Sequence, residues 1–211
     1  MNYIFYDFET SGTNTDFDQI LQTGAVLTGE GFEAKETLNL SCRLKKNVIP
    51  APLALLVNKI SIDQLKSGTL SHFNLVEQMK KNFEQWSPAC FVSFNGISFD
   101  EDILRQGLFQ SFNYPYITTS KDNRRLDVLK LSRAVSAFAP NSIVVPLGED
   151  NKQSFKLESL AKVNQIDHSD AHDAISDVKA TIELAKKIKG NAHEVWDSLL
   201  IYKKGDDIGK K

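Results

Sequence analysis

The chain of 211 residues has few cysteines and lacks any long apolar run. Its two cysteines, Cys42 and Cys90, are too few for a disulfide framework, so two free thiols in a reducing compartment are expected. No apolar run reaches the length of about 18 residues that a membrane span needs. The apolar stretch at residues 1–6 is too soon followed by acids to form a signal peptide. We therefore predict a cytoplasmic protein without a membrane partner.

The chain also lacks a strong excess of charge of either sign. Lys and Arg number 25 against 27 Asp and Glu, which gives a formal net charge of -2. This balance excludes the strongly basic proteins that bind nucleic acid through their overall charge. It leaves room for a local basic groove, because an acidic metal site elsewhere would offset it. With 41% hydrophobic and 25% charged residues, the chain is expected to fold into a globular domain.

Hydrophobic periodicity predicts an α/β domain with a mixed sheet. Strand patterns cover residues 2–7, 19–28, 36–44 and 90–94. Helical patterns cover residues 53–65 in two short pieces, 72–86, 99–112, 126–138, 155–164 after a Ser154 cap, and 171–189 before Gly190. Because strands come first and helices are interleaved afterwards, the expected class is α/β. One domain is expected over residues 1–190, followed by a C-terminal helix and tail over residues 191–211.

Asp7 and Glu9 lie two residues apart at the end of the first predicted strand. Side chains alternate along a strand, so both carboxylates are expected on one face, about 7 Å apart along the backbone. Hard cations such as Mg²⁺ bind oxygen ligands, and two carboxylates on a rigid strand end could hold one. A solvated strand end gives the same pattern, so the spacing alone leaves both interpretations open.

Three further titratable residues each have two interpretations. Asp100 follows a strand and the Asn95-Gly96 turn, where a carboxylate would also stabilise a helix start. Asp177 lies within the last predicted helix, either at the edge of its apolar face or directed into a cleft. His172 precedes Asp177 by five residues, which rotates it about 140° away on a regular helix. With Asp170 as the N-cap, His172 would fall in the first turn and escape that restriction.

Three sequence blocks together carry a specific pattern: DFET at residues 7–10, FNGISFD at 94–100 and AHDAISDV at 171–178. They contain four acids and a histidine in the order found in the DEDD exonucleases of the histidine-containing subgroup, which the chain resembles. Within that superfamily it is most similar to the bacterial exonuclease I family, through YDFETSGT at 6–13, DNRRLD at 122–127 and SFKLESL at 154–160. The resemblance covers nearly the whole chain.

This resemblance implies a ribonuclease H-like fold, in which helices flank a five-stranded mixed sheet. It also implies an enzyme that hydrolyses single-stranded DNA from the 3′ end and releases 5′-mononucleotides. The metal-binding carboxylates would be Asp7, Glu9, Asp100 and Asp177, holding two Mg²⁺ that Mn²⁺ can replace. His172 would be the general base that takes a proton from the attacking water.

The same resemblance assigns five residues to the DNA strand: Thr10, Arg105, Tyr116, Arg133 and Lys156. The two arginines would contact phosphates and the tyrosine would stack on a base. Segment 121–133 is rich in lysine and arginine, which could form a local basic stripe or a solvated helix face. Two positions depart from the family pattern. Ser120 stands where a further stacking aromatic is expected, and Lys156 replaces an arginine, so a bidentate clamp becomes a point charge. Weaker strand binding is the expected consequence.

The expected partners are the 3′ end of single-stranded DNA and single-strand-binding protein. Family members continue into regions that close over the strand, whereas this sequence holds only the tail 191–211, a possible linker to them, so low processivity is expected. One alternative is an exoribonuclease or a polymerase proofreading exonuclease, because the same five catalytic residues occur in all of these enzymes of the superfamily. Another is an inert nucleic-acid-binding module of the same fold. The dipeptide His172-Asp173 also suggests an HD-type phosphohydrolase. That class needs further upstream histidine ligands, and because only His72 and His168 precede the dipeptide, we discount it.

Overall fold

Residues 1–169 and 171–200 are described by the computed structural model, in which one mixed sheet runs through the molecule. Its strands are β1 (Asn2–Thr10), β2 (Ile20–Thr28), β3 (Ala34–Ser41), β4 (Ala89–Ser93) and β5 (Arg124–Asp127). The strand order is β3-β2-β1-β4-β5, with β1 antiparallel to β2 and parallel to β4. The predicted α/β class with a five-stranded mixed sheet is therefore confirmed.

Helices cover both faces of this sheet. They are α1 (Pro52–Asn58), α2 (Ile62–Ser67), α3 (His72–Trp86), α4 (Asp100–Gln110), α5 (Val128–Phe138), α6 (Leu157–Val163), α7 (Ala174–Asn191) and α8 (His193–Leu200). One core forms between the sheet and α3 and α4, and a second forms between the sheet and α5 to α8. None of the helices in the described part of the chain is long and apolar enough to cross a membrane.

The alternation of side chains along β1 decides which face receives the first two acids. Ile4 and Tyr6 enter the core under α3 and α4, whereas Tyr3 and Phe5 enter the core under α7. Burying one such side chain contributes roughly 1.5–3 kcal/mol, so the register of the strand is strongly fixed. Asp7 continues the row of Tyr3 and Phe5, and it therefore belongs to the face that α7 covers.

Gly24 lets α7 approach the sheet closely beside this row. It lies opposite Asp7 in the pairing of β1 with β2. A Cβ at this position would lie 2.5 Å from the carbonyl carbon of Ala174 and 2.6 Å from the amide nitrogen of Ile175. Only glycine accommodates that approach, which brings the first turn of α7 directly onto the strand that carries Asp7.

The predicted start of the last helix at residue 171 is wrong. The N-cap of α7 is Asp173, whose side chain accepts a hydrogen bond from the amide of Ser176 at 3.1 Å. His172 has φ 67°, a left-handed conformation that cannot continue a helix. Asp170, the expected cap, lies outside the described residues. The helix is expected to stop before Gly190 but continues through it to Asn191, because Gly190 does not adopt the left-handed conformation of a residue that ends a helix.

Two other segments differ from the prediction. The helix expected over residues 126–138 starts only at Val128, because Arg124–Asp127 pairs with β4 as the short strand β5. The helix expected after Ser154 starts at Leu157, because the Ser154 amide donates to the carbonyl of Pro146 at 2.8 Å and holds this part of the chain in an extended connection. The predicted tail at residues 201–211 lies outside the described residues, and the domain boundary at residue 190 stays a prediction.

Candidate active site

Three carboxylates converge at the edge of the sheet where β1 meets α7. Asp7 and Glu9 come from β1, and Asp177 comes from the first turn of α7. One carboxylate oxygen from each lies within 4.8 Å of the other two. The strand period and the close approach at Gly24 together produce this cluster from residues that are far apart in sequence.

Asp100 approaches the same edge from the neighbouring strand. It follows β4 and a short 3-10 turn at Gly96–Ser98, and it is the first residue of α4. Its carboxylate is buried, and the nearby backbone amides of Asp100 and Phe8 offset part of the rise in its pKa that burial causes. A Cβ on Gly96 would lie 2.9 Å from Asp100 Oδ2, so glycine leaves the space that this carboxylate occupies.

The four acids repel one another in a poorly solvated place. Burial raises the pKa of the Asp7 carboxyl well above its usual range, and the charge of Asp100 raises it further. Burial and the charge of Asp177 raise the pKa of Glu9 from 4.5 to about 8, and burial raises that of Asp100 from 3.8 to about 7. Such shifts mark carboxylates without a positive partner. An all-oxygen donor set with this charge fits a hard divalent cation.

Two histidines lie beside Asp177, and only His172 is a candidate from the sequence. The backbone amide of His172 donates to Asp177 Oδ1 at 3.2 Å, while its imidazole is exposed. Nε2 of His168 lies 2.6 Å from the same oxygen, and the His168 side chain is only 6% exposed. No feature of the sequence separates His168 from an ordinary loop histidine, so only the three-dimensional contact reveals it.

A cavity of about 740 Å³ opens in front of these groups. Its lining includes Asp7, Asp177, His168, His172, Arg133 and Lys156. The guanidinium of Arg133 lies 5.8 Å from the ring centroid of Phe155, which lines the same cavity. Two of the five residues predicted to bind the strand therefore face the acids across one cavity.

The other three predicted strand-binding residues lie elsewhere. Arg105 and Tyr116 line a separate cavity of about 360 Å³, where the guanidinium stands 5.5 Å from the tyrosine ring centroid. Arg105 is also paired with Glu101 at 3.4 Å and Asp102 at 3.3 Å. Thr10 is buried and donates to the carbonyl of Gly12 at 2.7 Å.

The basic residues of segment 121–133 do not all lie on one face, so the local basic stripe predicted from the sequence is divided. Adjacent residues of β5 point to opposite sides, so Arg125 pairs with Glu101 at 3.1 Å while Arg124 donates to the carbonyl of Leu200 at 3.1 Å. The positive charge of this segment is thereby divided between two faces, and Arg133 is the member that reaches the cavity of the acids.

Similarity to known proteins points in one direction. A family model described as Exonuclease matches residues 4–185. Exodeoxyribonuclease I of Buchnera aphidicola subsp. Schizaphis graminum (strain Sg) is 31% identical over 210 residues, which cover 99% of this chain and 43% of the relative. E. coli exonuclease I in complex with a dT13 oligonucleotide has a TM-score of 0.90 and 32% identity, covering 94% of this chain and 43% of that one.

A zinc-bound E. coli exonuclease I–ssDNA complex gives a TM-score of 0.89 at 32% identity, over 95% of this chain and 43% of that one. These likenesses confirm the ribonuclease H-like fold implied by the resemblance. The chain spans less than half the length of these relatives.

Proposed function

This chain belongs to the exonuclease family, and we propose that it hydrolyses single-stranded DNA from the 3′ end and releases 5′-mononucleotides. The observation that carries the proposal is the convergence of acids from β1 and α7 at one edge of the sheet, with Asp7 and Asp177 facing Arg133 and Lys156 across one cavity. Asp100 of α4 is near enough for its charge to raise the pKa of both carboxylates of β1. A cavity that is acidic on one side and basic on the other suits a phosphodiester held by its charge next to bound cations.

Asp7, Glu9, Asp100 and Asp177 would hold two Mg²⁺, or Mn²⁺ in their place. The lack of a positive partner supports this assignment, because a bound cation would lower the pKa of Glu9 and Asp100, which burial and neighbouring acids raise. When bound, the cations supply stabilisation for the charge that develops on the phosphate and on the leaving 3′ oxygen.

His172 would serve as the general base. Its amide is anchored to Asp177, which fixes the backbone at the edge of the cavity, while its exposed imidazole is free to face the attacking water. Imidazole is the side chain most often used as a general base, so it can take the proton from the water and release it to solvent. The ring of His168 is buried against Asp177 and is a poorer candidate for this transfer.

The basic side of the cavity would bind the strand. Arg133 and Lys156 would contact the phosphates nearest the scissile bond, and Phe155 beneath Arg133 limits the directions that the guanidinium can take. Tyr116 and Arg105 would bind a second part of the strand by stacking and by charge. Thr10, held through Gly12, would position the strand end near Glu9.

The remaining expectations are part of the same proposal. A cytoplasmic location is supported by Cys42 and Cys90, which are both buried and unpaired. A contact with single-strand-binding protein and a catalytic domain that ends near residue 190 are proposed from the resemblance to the family.

The test is digestion of 5′-labelled single-stranded DNA with Mg²⁺ or Mn²⁺, beside an RNA of the same sequence. The proposal predicts a ladder of one-nucleotide steps on DNA that disappears with EDTA and is reduced roughly 10²-fold or more in His172→Ala. A ladder on RNA alone would assign the chain to an exoribonuclease. Strand binding without cleavage of either substrate would favour an inert binding module.

A further inference from the structure

Asp177 differs from the other acids because it receives two hydrogen bonds on one oxygen. Both His168 Nε2, at 2.6 Å, and the amide of His172, at 3.2 Å, contact Oδ1. No hydrogen bond among the described residues reaches Oδ2. The carboxylate is therefore held from one side, and its second oxygen is left for a ligand.

The contact from His168 is protected from solvent. The side chain of His168 is 6% exposed and that of Asp177 is 16% exposed, so water competes weakly for the bond. Nδ1 of His168 is buried and has no hydrogen-bond partner among the described residues. Asp7 lines the same cavity, and no histidine contacts its carboxylate among the described residues. A buried nitrogen without a hydrogen-bond partner costs folding free energy, so the position of His168 against Asp177 calls for an explanation.

We propose that His168 is a positioning residue that holds Asp177 in the orientation needed to bind a divalent cation; this inference rests on the proposed function. The ring donates from Nε2 to Oδ1 and so fixes the rotation of the carboxylate. Donors behind metal ligands have this effect in many proteins, and their loss typically lowers metal affinity by about 10–100-fold. His168 does not itself touch the substrate, and it acts only through Asp177.

The test measures Mn²⁺ and Mg²⁺ binding by isothermal titration calorimetry, which needs no turnover. Four proteins are compared: wild type, His168→Ala, His168→Gln and His193→Ala. Glutamine retains an N–H close to the position of Nε2, so it should restore most of the affinity that alanine loses. His193 is exposed at the start of α8 and serves as the matched control. Thermal unfolding of each protein in EDTA reports whether the fold itself is altered.

The inference predicts that His168→Ala weakens Mn²⁺ binding by about 10–100-fold, that His168→Gln recovers most of this loss, and that the melting temperatures in EDTA stay close together. Wild-type affinity in His168→Ala would overturn it. Equal losses in the alanine and glutamine variants, with equally lowered melting temperatures, would overturn it as well, because they indicate a packing role. If wild type binds Mn²⁺ but degrades no strand, the proposed function fails while this inference stands. If wild type binds no Mn²⁺, both fail.

Discussion

Asp100 and Glu101 are adjacent carboxylates in the first turn of α4, and both are buried, yet their surroundings are opposite. Glu101 accepts hydrogen bonds from Tyr6 and Thr118 and pairs with Arg125 at 3.1 Å. Asp100 instead faces other acids, and burial raises its pKa to about 7. The protein therefore satisfies one carboxylate with its own donors, whereas its neighbour has no positive partner among the described residues, as the proposed metal site requires.

The difference follows from the direction in which each side chain leaves the helix. Glu101 points toward the core between α4, β1 and β5, where the sequence supplies hydroxyl and guanidinium donors. Asp100 points toward the open edge of the sheet, where Asp7 and Glu9 also end. Burial of a carboxylate is thus not evidence of function by itself; burial without a positive partner is.

The largest expected effect that tests this contrast comes from Asp7→Asn. Removal of one charge from the unsatisfied cluster should lower turnover by roughly 10³-fold, the size expected when preorganised stabilisation of the transition state is lost. Because the pKa of Asp7 is raised, its charge opposes folding, so the variant should be more stable than wild type in EDTA. Single-turnover cleavage and urea unfolding measure the two effects.

The exposed Asp63→Asn in α2 is the matched control, and it should change neither quantity. Full activity in Asp7→Asn would remove this residue from the site. Lower stability of Asp7→Asn in EDTA would mean that the cluster is satisfied within the protein, which would contradict the comparison with Glu101.

A pH dependence of stability should follow from the same repulsion. Glu9 titrates at 4.5 when unfolded and at about 8 when folded. Between these values the folded protein binds more protons than the unfolded chain, so the free energy of unfolding should fall as pH rises through this window. Urea unfolding in EDTA at several pH values measures the fall, which saturating Mg²⁺ should reduce. Stability that rises with pH in EDTA over this window would contradict the prediction.

Gly24→Ala would separate the acids without removing one. A Cβ would press on the backbone of Ala174 and Ile175, which displaces the first turn of α7 and with it Asp177. A loss of about 1–3 kcal/mol in the free energy of unfolding is expected from such overpacking, together with weaker Mn²⁺ binding. Gly190→Ala is the control, because nothing lies within 4 Å of its added Cβ. Wild-type Mn²⁺ affinity in Gly24→Ala would show that this approach does not position Asp177.

Much of the site could be predicted from the sequence because its chemistry is encoded in short blocks. The two-residue spacing of Asp7 and Glu9 is a strand property, and it predicts their shared face without knowledge of the fold. Asp100 and Asp177 each had an ordinary structural explanation, so only the combination of blocks made them candidates. The classes and approximate positions of the main helices and of β1 to β4 followed from periodicity.

The remainder depends on contacts between distant segments. Arg124–Asp127 has too few residues and no apolar alternation to indicate β5, which forms because β4 offers an open edge. Asp170 is the cap expected from the sequence, whereas the cap in the structure is Asp173, which also accepts a hydrogen bond from the distant Gln22 at 2.7 Å. The positions of His168 against Asp177 and of Glu101 among its donors are equally non-local.

The smallest expected effects come from the same substitution, glutamate to glutamine, made at Glu101 and at Glu9. This pair compares the satisfied and the unsatisfied environment most directly. Glu101→Gln keeps an acceptor for Tyr6 but loses the charge that Arg105 and Arg125 face, so it should destabilise the protein by about 1 kcal/mol. The value is modest because both guanidinium groups are about one third exposed and screened by water.

Glu9→Gln removes the same charge from the unsatisfied cluster and should stabilise the protein in EDTA at pH 8, because the folded state then loses a charge that it accommodates poorly. Urea unfolding of both variants at that pH measures the signs side by side, with Glu149→Gln, the same substitution at an exposed glutamate, as the control near zero. Opposite signs for one chemical change are required if the protein satisfies Glu101 itself and reserves Glu9 for a cation. Equal signs would mean that the two carboxylates are held in the same way. The change in the free energy of unfolding would then not distinguish a structural acid from a ligand-binding one.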